Sequence, residues 1–327
     1  MFGRRAAAAA ATTAALLLGG TVLSTGMPAS AATGHVLWTV HPGPGHKLPN
    51  NDNKSYVLKA EAEVGRTFDM DVRYYLVGKD QIIGSREQWA AGRGEIPLIH
   101  LSLRKDLPYT WKTIAQGAAD TYLKQQAAAA AGFGKPIYLN FQNEADHNKS
   151  WAGTPADFIA AFRHVHDIFK SASNVKFVLS LFTNPGVPAS EFAKWYPGDT
   201  YVDVFGPTGY NWACSPGHGA GQLSCGKGWH SFQQVFATAY AFTVAHGKSM
   251  IVTETGTAED PANANRKAQW IYDMATTAVA WPNLRGIVWF QASTRGQTFA
   301  IDTSTASLKA FTCVGHRPYF GGTGSLC

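Results

Sequence analysis

Eight short runs rich in β-branched and aromatic residues recur along the chain, and longer Ala-rich amphipathic stretches fill most of the gaps between them. This alternation constrains the fold more than any other feature. The runs are 35–41 (HVLWTVH), 68–76 (FDMDVRYYL), 96–102 (IPLIHLS), 137–142 (IYLNFQ), 175–182 (VKFVLSLF), 202–206 (VDVFG), 249–255 (SMIVTET) and 285–291 (RGIVWFQ). Helices are predicted over 113–131, 156–171, 230–246 and 262–280. The first stops at Gly132 as a C-cap glycine. The second follows Thr154-Pro155, an N-cap with proline at the first helical position, and the last is entered through Asp260-Pro261. Eight strands separated mostly by helices across residues 32–327 predict one domain, an α/β (β/α)8 TIM barrel. A doubly wound open sheet alternates the same way, but no G-x-G-x-x-G follows the first run. Gly217, Gly219 and Gly221 sit between two cysteines and read as a flexible loop. The Pro42–Asn53 stretch is a second predicted loop. There is no internal repeat and no linker.

Residues 1–31 read as an export signal. Arg4 and Arg5 lead into an apolar stretch from Ala6 to Leu23, and Ala29-Ser30-Ala31 is a small-residue cleavage site. Thr12, Thr13, Gly19 and Gly20 interrupt the stretch, which argues against a membrane anchor. Gly3 precedes the arginines without the rest of a twin-Arg pattern, so the general secretory route is expected. The mature protein, residues 32–327, is therefore expected to be secreted, extracellular, soluble and monomeric. With 45% apolar and 15% charged residues, disorder and coiled coil are excluded. Removing Arg4 and Arg5 takes the formal charge from +6 to +4, and the basic residues are dispersed. No nucleic-acid footprint is evident, and no membrane partner is expected after processing. Four cysteines remain: Cys214, Cys225, Cys313 and Cys327. They allow three pairings. Nearest-neighbour pairing would close a local loop and staple the Gly-rich tail in an oxidising compartment. No C-x-x-C spacing supports zinc.

Active sites of such barrels lie at the carboxyl ends of the strands. The fourth run, Ile137 to Phe141, delivers Gln142-Asn143-Glu144-Ala145-Asp146. The seventh, Met250 to Thr253, delivers Glu254-Thr255-Gly256. Two carboxylates thus reach one face from strands three positions apart. Glycosidic hydrolysis needs such a pair: one protonated to donate to the leaving oxygen, the other free to attack the anomeric carbon. Asn143 is placed to hydrogen-bond a sugar 2-hydroxyl.

The ordered series that carries these residues resembles the retaining glycoside hydrolases of clan A. It is most similar to family 26, the β-mannanase-like hydrolases of secreted actinobacterial type. The resemblance rests on Asn143-Glu144, Trp195-Tyr196-Pro197-Gly198-Asp199, Tyr201-Val202-Asp203 and Gly209-Tyr210-Asn211-Trp212. Thr253-Glu254-Thr255-Gly256 and Lys267-Ala268-Gln269-Trp270 complete it. It is dense from about 136 to 311. It implies Glu144 as general acid/base, Glu254 as nucleophile, retention of configuration and, as first choice, an endo-β-1,4-mannanase acting on mannan. The family usually places His before the acid/base within an Arg-containing strand, where Asn143 stands here, and often Asp where Thr208 stands. These changes spare the carboxylates but alter the surroundings of the reacting sugar, so β-glucan, xylan and galactan stand beside mannan.

Further residues are expected around the pair. Tyr210 would hydrogen-bond Glu254. Trp289 would form an apolar floor, with Gln291 beyond it, and Trp212 and Trp151 would offer stacking faces. His100 ends the third strand on the side of Leu98. One of Tyr74 and Tyr75 would reach the cleft. Asp146 and His147 read as loop structure. No H-E-x-x-H or G-x-S-x-G occurs, and His164 and His166 lie on a helix, so neither a metal nor any other cofactor is expected. The other classes considered are a carbohydrate-binding barrel without catalysis and a nucleic-acid binder supported only by the basic pI.

Overall fold

The computed structural model describes residues 34–41, 54–147, 150–212, 228–294 and 297–324. The predicted signal (1–31), the Pro42–Asn53 loop, the Gly217–Gly221 stretch, and Cys214, Cys225 and Cys327 lie outside these residues. Cys313 is buried and is not a free thiol.

In chain order the elements are β1 (Leu37–Val40), α1 (Lys54–Val64), β2 (Met70–Leu76), α2 (Ser85–Gly92) and β3 (Ile96–Ser102). Next come α3 (Trp111–Ala115), α4 (Asp120–Phe133), β4 (Ile137–Phe141), α5 (Pro155–Phe169), β5 (Val175–Leu179) and α6 (Ala189–Trp195). They continue with β6 (Val204–Phe205), β7 (Thr208–Asn211), α7 (Phe232–Ala245), β8 (Ser249–Thr257) and α8 (Arg266–Ala280). The last are β9 (Leu284–Trp289), β10 (Ser293–Thr294), β11 (Gln297–Thr298) and α9 (Thr305–Gly315). β1 through β9 form one parallel sheet in the order β1-β9-β8-β6-β5-β4-β3-β2, with β7 also paired to β8. The chain is therefore a nearly closed (β/α)8 barrel, as expected. At the β1/β2 seam side chains complete the closure. Asp69 accepts from the Trp38 amide at 2.8 Å, and Thr39 Oγ1 donates to the Met70 carbonyl at 2.6 Å.

Several predicted elements are redrawn. The sixth strand, expected over 202–206, is only Val204–Phe205 (β6), and a further strand, β7, follows at Thr208–Asn211 beyond Gly206-Pro207, where proline cannot donate to the ladder. The helix expected over 113–131 is two. Gly117 at φ +90° breaks it, and the second piece runs through Gly132 to a left-handed C-cap at Gly134. α8 begins at Arg266 rather than after Pro261. Asp260 first closes a turn, accepting from the Ala262 amide at 2.9 Å and pairing with Arg266 at 2.7 Å. α1, α2, α6 and α9 were not predicted: their apolar stripes are short or interrupted by charge.

α5 forms as the sequence dictates. Thr154 accepts from the Asp157 amide at 3.2 Å, Pro155 opens the first turn, and Phe158, Ala161, Phe162, Val165 and Phe169 bury one stripe. Each buried Phe contributes about 2 kcal/mol by removal of apolar surface from water. The helix layer packs on the outside of the barrel. Inside, a separate core of Leu37, Val72, Leu98, Val178, Ile251, Val288 and their neighbours fills the lumen beneath the catalytic end.

Candidate active site

Side chains alternate along each strand, so the lumen core identifies which residues reach the mouth above it. Val72 points inward, hence Tyr74 does too, while Tyr75 faces the helices and donates to Glu87. By the same count Leu98 leads to His100, Tyr138 to Asn140, Val178 to Ser180 and Val288 to Phe290. β8 breaks the count. Ile251 points inward and so does Thr253, whose hydroxyl donates to the Gly206 carbonyl at 2.9 Å. Strict alternation would then turn Glu254 out toward the helices. Between Val252, opposite Ile287, and Thr255, opposite Trp289, β8 carries one extra residue. This bulge re-aims the strand and turns Glu254 inward beside Thr253.

Glu254 is 7% exposed and accepts three hydrogen bonds. Tyr74 donates to Oε1, Tyr210 donates to Oε2, and Asn143 Nδ2 donates to Oε1 at 3.3 Å. Burial first, then the charge of Glu254, pushes both tyrosine hydroxyls well above their ordinary ionisation range, so they remain donors. Glu144 adds to the same upward push on both, which places its carboxylate in electrostatic reach of the two rings.

The segment that presents Glu144 is bent. Gln142 and Glu144 have φ of +66° and +48°. Left-handed backbone in non-glycine residues costs roughly 1–3 kcal/mol at each position. Gln142 is held there by its side chain, which accepts from the Leu103 amide at 3.0 Å. Ser180 holds Asn143, donating to its Oδ1 at 2.7 Å. Asp146 accepts from the Phe182 amide at 2.9 and 3.1 Å, so it ties this loop to the one after β5, as expected of loop structure.

Glu144, Glu254, Asn143 and Tyr210 are thus brought together. Trp212 is half-buried on the wall, against Tyr210 at 5.3 Å and Phe299 at 5.0 Å between ring centres. Trp151 is half-buried and packs on the outer hydrophobic core. Three expectations are corrected. Trp289 is fully buried outside the barrel, with Nε1 donating to the Phe299 carbonyl at 2.6 Å, because its position has outward parity. The aromatic at the mouth is its neighbour Phe290. Gln291 is also buried and accepts from the Ile301 amide at 2.7 Å, so it supports a loop and faces no sugar. His100 is fully buried. Its ring stacks on Tyr74 at 4.4 Å, and Nδ1 meets Asn140 Nδ2 at 2.8 Å. It orients Tyr74 and presents no surface to a ligand.

Sequence reasoning missed Ser180, Phe290 and Phe299, and it left Tyr74 undecided against Tyr75. Inward parity counted from Val178, Val288 and Val72 was the available signal for Ser180, Phe290 and Tyr74. Phe299 carried none, since it arrives from a loop. Among the described residues no group of three or more His, Cys, Asp or Glu is placed to hold a metal. His164 pairs with Asp120 at 2.6 Å. No described helix is long and apolar enough to cross a membrane.

No protein-family model matches the chain. Endoglucanase H of Acetivibrio thermocellus is 32% identical over 217 residues, which are 62% of this chain and 23% of that protein. The chain therefore spans about a quarter of the length of this relative. Among solved structures, the catalytic domain of the Bacillus sp. JAMB-750 GH26 endo-β-1,4-mannanase superposes with a TM-score of 0.59 at 15% identity, covering 93% of this chain and 94% of that one. A Cellulomonas fimi endo-β-1,4-mannanase double mutant gives 0.60 at 17% identity, over 88% and 72%. The GH26 β-mannanase of Bacteroides ovatus gives 0.58 at 15%, over 88% and 90%. The chain has the barrel fold of the glycoside hydrolase family 26 mannanases, and it is related in sequence to the Acetivibrio thermocellus endoglucanase H.

Proposed function

We propose that the protein is a retaining glycoside hydrolase acting on a β-linked polysaccharide. The observation that carries this reading is the inward-turned Glu254, held by Tyr74, Tyr210 and Asn143, with Glu144 in electrostatic reach of the same two tyrosines. The three donors keep the Glu254 carboxylate ionised and oriented for attack on the anomeric carbon. As the glycosidic bond breaks, Glu144 gives its proton to the departing oxygen. A water then attacks the glycosyl-enzyme ester, passes a proton to the Glu144 carboxylate and releases the sugar, restoring Glu254. The two groups act without a cofactor.

The first substrate we propose is β-1,4-mannan, in line with the motif resemblance and the mannanase structures of the same fold. β-Glucan is the second, favoured by the 32% identity to an endoglucanase. The test is reducing-end release from mannan, β-glucan, xylan and galactan, with the anomeric form of the first product read by NMR. Glu254→Gln and Glu144→Gln run alongside. Release with retained configuration, reduced at least about 10³-fold by Glu254→Gln, is expected. An unimpaired Glu254→Gln variant, or inverted product, overturns the reading. Binding of a glycan without release by the native protein would instead make it a carbohydrate-binding barrel.

We also propose that residues 1–31 direct export, that cleavage follows Ala31, and that the four cysteines form two bonds in the secreted, monomeric protein. N-terminal sequencing, thiol titration and sedimentation of protein recovered from culture medium test these points.

A further inference from the structure

Lys267 is fully buried at the start of α8 and takes no part in the chemistry above. Its ammonium donates to the Ala300 carbonyl at 2.6 Å, to Thr303 Oγ1 at 2.8 Å and to the Phe299 carbonyl at 3.5 Å. All three acceptors are neutral oxygens on one segment, the stretch that leaves β11. Desolvating a cation is costly, and its position near a helix N-terminus sets it against the helix dipole as well. Burial lowers its pKa to about 8, while the fields of Glu259 and Asp302 oppose that shift. Those two carboxylates are the charged groups that face it. Glu259 is itself held by the hydroxyls of Thr303, Ser304 and Ser307.

The segment that Lys267 grips carries one large side chain into the mouth. The Phe299 ring lies 5.3 Å from Tyr210, 5.0 Å from Trp212 and 6.1 Å from Phe290 between centres. It fills the space over Gly256, where an added Cβ would meet it at 3.1 Å. Gly256 is the register partner of Tyr210 across β7 and β8. A continuous packed path therefore runs from the ammonium through the Phe299 backbone and ring to the tyrosine that donates to Glu254.

We propose that Lys267 is a positioning residue. By clamping the Ala300 carbonyl at 2.6 Å, next to the Phe299 carbonyl that it shares with Trp289 Nε1, it presses Phe299 against Tyr210 and so sets the geometry of the hydroxyl on Glu254. The inference rests on the reading of Glu254 as nucleophile, but its central claim, that Lys267 places Phe299 on Tyr210, has its own readout.

The test uses the full chain with Lys267→Met, which keeps the volume and removes the donors, Phe299→Leu, and the double variant. On the polymer that the native protein cleaves, each single variant is expected to lose about tenfold in kcat with KM within about twofold, and the double variant to lose no more than the worse single. Additive losses, or native kcat in Lys267→Met, overturn the proposal. If the native protein cleaves nothing, the reading of function fails but the proposal is still decided. Near-UV circular dichroism must then show the same altered tyrosine–tryptophan band in both single variants, and an unchanged band in Lys267→Met overturns it. Should Lys267→Met not fold, Thr303→Val removes one of the three acceptors and is expected to show the same effects at about threefold. A native kcat together with a native band in that variant overturns the proposal.

Discussion

Ser180 donates a 2.7 Å hydrogen bond to Oδ1 of Asn143, and that bond decides which end of the Asn143 amide faces Glu254. With Oδ1 engaged, Nδ2 is turned to the carboxylate at 3.3 Å. Removing the serine hydroxyl leaves Asn143 free to rotate. Ser180→Ala is expected to lower kcat about tenfold with little change in stability. Asn143→Asp should do more damage, since it sets a second anion against Glu254. Steady-state kinetics of both variants, with thermal melts as control, check this ordering.

Tyr210 and Tyr74 hold the two oxygens of Glu254 separately. Loss of one hydrogen bond to a buried charge costs roughly 1.5–3 kcal/mol. Tyr210→Phe and Tyr74→Phe are each expected to reduce kcat about 10- to 100-fold. Both hydroxyls are pushed far above the ordinary tyrosine range by burial and by Glu254. The tyrosinate absorbance of the folded protein should therefore rise identically with pH in wild type and Tyr210→Phe until unfolding. A smaller rise in the variant would count against the buried, neutral donor.

Trp289 and Phe290 are neighbours with opposite duties. Trp289 contacts Trp270 and Phe311 behind the barrel, whereas Phe290 contacts His41 and Tyr210 at the mouth. Trp289→Ala is expected to cost about 3–5 kcal/mol of stability, as for other large buried aromatics. Phe290→Ala should instead alter KM or kcat with a smaller stability loss. Denaturant melts and kinetics on the two variants separate core from cleft. A stable Trp289→Ala variant with raised KM would restore the tryptophan to the substrate site.

Glu95 lies at the opposite, amino-terminal end of the barrel, paired with Arg93 at 2.7 Å. Burial outweighs that pairing and raises its pKa from an ordinary 4.5 to about 7. The folded state thus binds this proton more tightly than the unfolded chain does. Its contribution to stability is complete below about pH 4.5 and is lost as pH rises to about 7. Glu95→Gln should flatten the fall in Tm over that window and raise Tm above it. Identical pH profiles for variant and wild type would contradict the assignment.

The linear order of the chain determined much of this protein. Strand and helix alternation is local physics: apolar runs of five to nine residues, Thr154-Pro155 as a cap, and glycines at helix ends. It was enough for the barrel and for the carboxylates at the ends of the fourth and seventh strands. Only the tertiary structure decided which neighbour faces the cleft. Parity along β9 depends on a register set by β1 and β8, so Trp289 and Phe290 cannot be told apart from their own residues. The inward turn of Glu254 depends on a bulge defined by pairing with β9. Phe299 lies on Tyr210 while its backbone is gripped from behind by Trp289 and by a buried lysine some thirty positions earlier. Pairing register, bulges and buried polar clamps join residues distant in sequence, and no local pattern records them.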